Sequence, residues 1–339
     1  MGGLLVAALG LAVALGPVPI PPRELLGYGA QKLGLSPGAE IPPAHLVILE
    51  GVRLPRALAA ALVGASLGVS GAVMQGIFRN PLASPYVLGL ASGAGAGAAL
   101  VIALGLSAGG PLALPLGALL GGTAAVALVY GIARASRRPG MPGTLTLILA
   151  GIALSALFSA LTSLSIVLSS EPLKAQTIVF WLMGSLGRAR WDLLPLLAGA
   201  VVVGLGALFL FARDLNVLSL GEEGARHRGV RPERLEKLLL GVVTLLTGAA
   251  VALAGTIGFV GLITPHALRL VLGPDHRVLL PASALGGALF LLLADTAART
   301  ALPPLELPVG VLTALCGAPF FLYLLLRRPV FPIRGGDTR

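Results

Sequence analysis

The chain has 339 residues, of which 56% are hydrophobic and 11% charged, with a mean hydropathy of +0.94. A soluble domain carries about 25% charged residues, so this composition excludes an ordinary water-soluble globule and points to a polytopic membrane protein. The net charge of +10 is scattered through short loops between apolar runs, which argues against nucleic acid as a partner.

A helical span needs about 20 predominantly apolar residues, and the runs here lack the alternating pattern of a barrel strand. The expected fold is therefore all-α, with ten spans in a single transmembrane domain over residues 1–339. The first run, 3–20, lacks a basic leading segment and is followed closely by Pro17, Pro19, Pro21 and Pro22. It is read as a retained span and not as a signal peptide. The second, 54–77, ends in "FRNPLASP" at 78–85, an unusually polar and proline-rich connector. The third, 86–107, is rich in Gly and Ser; 111–133, 144–168, 191–212 and 236–256 follow. The run 258–272 is short for a crossing, and 278–299 and 308–326 complete the set.

With both termini on the cytoplasmic side, 16 of the 24 basic residues fall inside, the orientation favoured by the positive-inside rule. Gly64 with Gly68, and Gly117 with Gly121, have the four-residue spacing that lets membrane helices approach closely. Laying 62–85 over 246–269 matches Gly64 with Gly248, Gly71 with Gly255 and Pro81 with Pro265. Such internal similarity suggests an inverted repeat, with each proline expected to break a helix after a glycine-rich stretch.

The chain contains no G-x-x-x-x-G-K-[ST] loop to cradle phosphates, and its histidines and acids are scattered. No enzymatic chemistry is expected of it. Cys316, alone in an apolar run, offers no disulfide or metal framework and reads as a small buried hydrophobe. Asp295 is the one carboxylate to weigh as an intramembrane coupling group, although Arg299 lies one turn on, where the two can pair. An ion-coupled secondary transporter built on Asp295 and Arg299 is the alternative reading. The segment 213–237, "RDLNVLSLGEEGARHRGVRPERLEK", is too long for a turn. Its composition suits one or two short helices on the cytoplasmic face that dock a partner.

Five stretches carry a family resemblance: "RLPRALAAALVGASLGVSGAVMQGIFRNPLASPYVLGLASGAG" (53–95), "WLMGSLGRARW" (181–191), "LSLGEEGARHRGV" (218–230), "GTIGFVGLITPHALRLVLGPDHRVLLPASALGGALFLLLADTAAR" (255–299) and "LPVGVLTALCGAPFFLYLLLRR" (307–328). In this combination and order the chain resembles the FecCD-type permeases of binding-protein-dependent ABC importers for iron–siderophores, haem and cobalamin. The resemblance implies a homodimer in the bacterial cytoplasmic membrane, two cytoplasmic ATPase subunits that carry ATP and Mg, and a periplasmic substrate-binding protein. It implies no cofactor or metal on this chain. It further implies that Arg53, Arg56 and Arg299 dock the binding protein, as outward-facing guanidiniums suited to gripping carboxylates. Asn80, Leu82 and Thr144 would form the cytoplasmic gate. The segment 214–234 would receive the ATPase stroke, with Gly221, Glu222, Ala225 and Gly229 at its matching positions.

Overall fold

The computed structural model describes residues 1–35, 41–136, 143–169 and 171–326. Among them the backbone is helical with no strand, as a chain in hydrocarbon must be when no water is at hand to satisfy free N–H and C=O groups. The helices are α1 (Gly2–Ala14), α2 (Pro22–Lys32), α3 (Pro43–Ile48), α4 (Leu54–Phe78), α5 (Leu90–Ala103), α6 (Ala113–Ala135), α7 (Gly143–Val167), α8 (Pro172–Leu182), α9 (Leu194–Leu210), α10 (Ala212–Leu218), α11 (Glu222–His227), α12 (Pro232–Ala254), α13 (Val260–Leu272), α14 (His276–Thr300) and α15 (Val309–Leu326).

Each of the ten predicted apolar runs coincides with one helix. Five helices are long and apolar enough to cross a membrane. α9 qualifies together with α10, to which it is joined at a 54° bend. Four shorter apolar helices, α1, α5, α13 and α15, make up the rest. Short helices at 90–103 and 260–272 fit the glycine-rich and truncated character of those runs. Sequence reading missed α2, α3 and α8, which are short and start at prolines, a residue suited to the first helical turn.

α4 is the centre of the molecule. A π-turn at Leu49–Arg53 joins it to α3, and the continuous helix from Pro43 to Phe78 has 36 residues. At 1.5 Å per residue this is about 54 Å, longer than the roughly 30 Å hydrocarbon core. Both predicted glycine pairs are packing surfaces. A Cβ built on Gly64 would lie 2.2 Å from the Gly287 carbonyl oxygen, and one on Gly68 would lie 2.3 Å from that of Ser283, so α4 and α14 meet backbone to backbone. Gly117 and Gly121 of α6 meet α5 in the same way, with a Cβ on Gly121 falling 2.3 Å from the Gly93 carbonyl oxygen. Between helices surrounded by lipid, close approach of this kind replaces the hydrophobic driving force available in water.

Two expectations need correction. Pro265 does not break a helix: it lies inside α13. The break falls earlier, at Gly255 (φ 70°) and Phe259 (φ 67°), so the proposed repeat register sets the end of α4 against the interior of α13. Pro265 is the sixth residue of α13 and so forgoes the bond that an N–H there would make to the Gly261 carbonyl. Cys316 is exposed, not buried. Among the described residues α15 packs chiefly against α13 and α14, which leaves much of its surface outside the bundle.

Candidate functional site

Three arginines, two carboxylates and a helix end converge on one side of the bundle, where α1 and α14 finish and α4 begins. Arg56, in the first turn of α4, is buried with only 6% of its surface exposed. Its Nε donates to Asp295 Oδ1 and Oδ2 at 3.1 and 3.0 Å, and its Nη2 donates to Oδ1 at 3.0 Å. Its Nη1 donates to Glu306 Oε2 at 2.7 Å. Arg299 pairs with the other side of Asp295 at 3.4 Å, one helical turn along α14, and also donates to the carbonyls of Leu15 (3.0 Å) and Ala12. Arg53 donates to Val13 and Ala14, each at 2.8 Å, and to Val18.

The arrangement follows from charge balance. Three cations face two carboxylates, and the balance is taken up by the unpaired carbonyls at the end of α1, which also carry the negative pole of that helix. Gly16 makes room for it, since a Cβ there would lie 2.5 Å from Arg53 Nη2.

Arg53, Arg56 and Arg299 were expected as outward-facing guanidiniums able to grip carboxylates. In the structure all three are buried and engaged within the chain. The physical reason is desolvation: an arginine taken out of water must find acceptors, and Asp295, Glu306 and the α1 carbonyls are the nearest. The pairing of Asp295 with Arg299 was legible from their spacing. Glu306 was missed; its only signal is an acid set between Pro304 and Pro308.

At the far end of α4, "FRNPLASP" is a capped helix stop. Arg79 is left-handed (φ 49°, ψ 34°) and its N–H closes on the carbonyls of the last turn. Asn80 Oδ1 accepts from the Leu82 N–H at 2.9 Å, a local turn that holds the chain before Pro85 starts the next helical turn. Asn80 is exposed and Leu82 half-buried. Thr144 belongs to the first turn of α7, and its side chain lies outside the described residues.

The segment expected to hold one or two short helices holds two, α10 and α11. Gly221 (φ 103°) precedes α11 and Gly229 (φ 80°) follows it, both in conformations that favour glycine. Ala225 is fully buried on the inner side of α11, and Glu222 is in its exposed first turn. Arg226 lies 3.4 Å from Glu222 and 2.5 Å from Glu233, and the hydrogen bond to Glu233, chiefly, holds its guanidinium above its ordinary range. α10 is pinned to the start of α14. Asn216 Nδ2 donates to Asp275 Oδ1 at 2.6 Å, while Asn216 Oδ1 accepts from the His276 backbone N–H at 2.9 Å. Asp275 caps α14 by accepting from the Arg277 N–H at 2.9 Å. That bond, followed by the Asn216 amide, holds the Asp275 carboxyl below its ordinary range.

None of this is catalytic machinery. Among the described residues no three His, Cys, Asp or Glu side chains gather as a metal site. Comparison with known proteins agrees with a transport component. Residues 4–327 match the FecCD transport family. The cobalamin import system permease protein BtuC of Halobacterium salinarum is 43% identical, over 97% of this chain and 95% of that protein. The hemin transport system permease protein HmuU of Yersinia pestis is 45% identical over 82% of each chain. A solved inward-facing conformation described as that of a metal-chelate type ABC transporter superposes with a TM-score of 0.82, at 37% identity and covering 96% of both chains. The chain is thus a multi-pass permease subunit and not an enzyme, and it belongs to the FecCD transport family.

Proposed function

We propose that the chain is the membrane-spanning subunit of an ABC importer that moves a metal chelate (an iron–siderophore, haem or cobalamin) by ATP-driven alternating access. The observation that carries this reading is the near-full-length structural likeness to a metal-chelate type transporter, together with relatives named for cobalamin and hemin transport. Two copies would form the path, with both termini cytoplasmic in the bacterial inner membrane, two ATPase subunits inside and a binding protein outside. Asn80, Leu82 and Thr144 are the proposed inner gate. The two short helices α10 and α11, with Gly221, Glu222, Ala225 and Gly229, are the proposed receiver of the ATPase stroke. ATP and Mg would be held by the ATPase alone.

Docking through Arg53, Arg56 and Arg299 carries a condition that the geometry supplies. An incoming carboxylate must displace Glu306 or the α1 carbonyls from guanidiniums that already hold them. The secondary-carrier alternative draws no support from Asp295, whose oxygens already accept from Arg56 and face Arg299.

The test is reconstitution in liposomes with the cognate ATPase and binding protein. Uptake of cyanocobalamin, haemin and a ferric siderophore is measured separately. Uptake of one of these that requires internal ATP is expected; uptake that persists without the ATPase, driven by a proton gradient, would overturn the proposal.

A further inference from the structure

An apolar cleft of about 410 Å³ opens between α6 and α12 on the side of the molecule away from the arginine cluster. Leu120, Thr123, Ala127 and Tyr130 form one wall, and Leu240, Gly241 and Leu245 form the other. The helices run antiparallel here, because Leu119 reaches Gly248 at one end while Tyr130 and Lys237 share the other. Gly241 keeps the cleft open: a Cβ built on it would meet nothing within 4 Å. Lys237 is exposed at the mouth. The adjoining surface on α12, which shares Lys237, Gly241 and Leu245, is also lined by Arg234. Neither Glu233 nor Glu236 lines either hollow.

We infer that this cleft is a binding site for one anionic phospholipid of the surrounding bilayer, taken from the leaflet on the side of α10 and α11. Three observations select this occupant. The mouth is cationic, and the phenol of Tyr130 stands beside it, a side chain suited to the headgroup level. The walls below the mouth are apolar, as an acyl chain requires. The length also fits: from Lys237 to Leu245 the helix rises about 12 Å, close to the roughly 15 Å depth of a single leaflet. A soluble acidic peptide would match the charges but not the apolar walls beneath them.

The test is native mass spectrometry of the full-length chain, titrated with palmitoyl-oleoyl phosphatidylglycerol or with the zwitterionic phosphatidylcholine of the same acyl chains. Three forms are compared: wild type, Arg234→Gln with Lys237→Gln, and Gly241→Leu. Wild type is expected to retain phosphatidylglycerol in preference to phosphatidylcholine. Each cation removed should lower that retention about fivefold, since a basic residue at an anionic membrane surface contributes about 1 kcal/mol. Gly241→Leu fills the open space without meeting a neighbour at its Cβ and should abolish retention of both lipids while leaving the melting temperature of the protein near wild type. Equal retention of the two lipids by wild type would overturn the inference. So would unchanged retention in both variants. A disulfide-linked second copy through Gly241→Cys, in a Cys316→Ser background, would overturn it by giving the cleft to a neighbouring subunit.

Discussion

Arg56 holds two carboxylates of unequal standing. Asp295 is buried, whereas the side chain of Glu306 is 45% exposed. The two should respond differently to neutralisation. Asp295→Asn removes the buried countercharge from Arg56 and Arg299 together, and loss of one partner of a buried pair costs about 3–5 kcal/mol. The variant is expected to unfold well below wild type in detergent; an unchanged melting temperature would show that the pair contributes nothing. Glu306→Gln loosens only the exposed partner, where an ion pair contributes about 1 kcal/mol or less, and should leave stability nearly unchanged. It should strengthen association with the binding protein, more at low salt than at high. Weaker association would mean that Glu306 itself takes part in docking. Spacing in the sequence paired Asp295 with Arg299. It could not show that the three arginines are buried, because the acceptors on α1 and at Glu306 lie far from them along the chain and declare themselves only once the helices pack.

Among helices, glycine spacing was the most legible signal, and it carries a graded prediction. Gly64→Ala places a methyl on the Gly287 backbone, and forcing extra volume into so close a contact costs about 1–3 kcal/mol. Gly131→Ala on α6 meets nothing within 4 Å and should shift stability by less than about 1 kcal/mol. Equal melting temperatures for the two would refute the close α4–α14 contact as a stabilising feature. The α14 cap adds a pH dependence. The Asp275 carboxyl is held below its unperturbed value of about 3.9, so its contribution is fully present above that pH and is lost as pH falls through the lower folded value. Asp275→Asn should flatten this acid limb of a thermal-denaturation series; an unaltered limb would assign it to other groups. The sequence reading did not single out Asp275, although an acid just before an apolar run is an N-cap signal. The short helices α2, α3 and α8 were missed because segments of 6 to 11 residues show too few turns for a periodic pattern. The proline comparison failed for a related reason. Proline marks a helix start as readily as a helix end, and only the packed chain shows which.

At the scale of the molecule, α14 joins the two charged regions. Its first turn is pinned to α10 through Asn216, Asp275 and His276, and its last turns carry Asp295 and Arg299. The 19 residues from His276 to Asp295 span about 29 Å at 1.5 Å each, a distance over which coupling needs a rigid element. A helix fastened to α4 along Gly64, Gly68, Ser283 and Gly287 is such an element. Displacement of α10 by an ATPase should therefore be felt at the arginine cluster. Asn216→Ala removes the pin and leaves the cluster intact. Asn216→Ala and Glu306→Gln are tested singly and together for stimulation of ATP hydrolysis by the loaded binding protein. With a rigid link, the increment that Glu306→Gln produces in the intact chain should disappear once Asn216 is Ala, giving a coupling energy of about 1 kcal/mol or more. Additive effects would mean that the two ends act independently, and would assign the link to another helix.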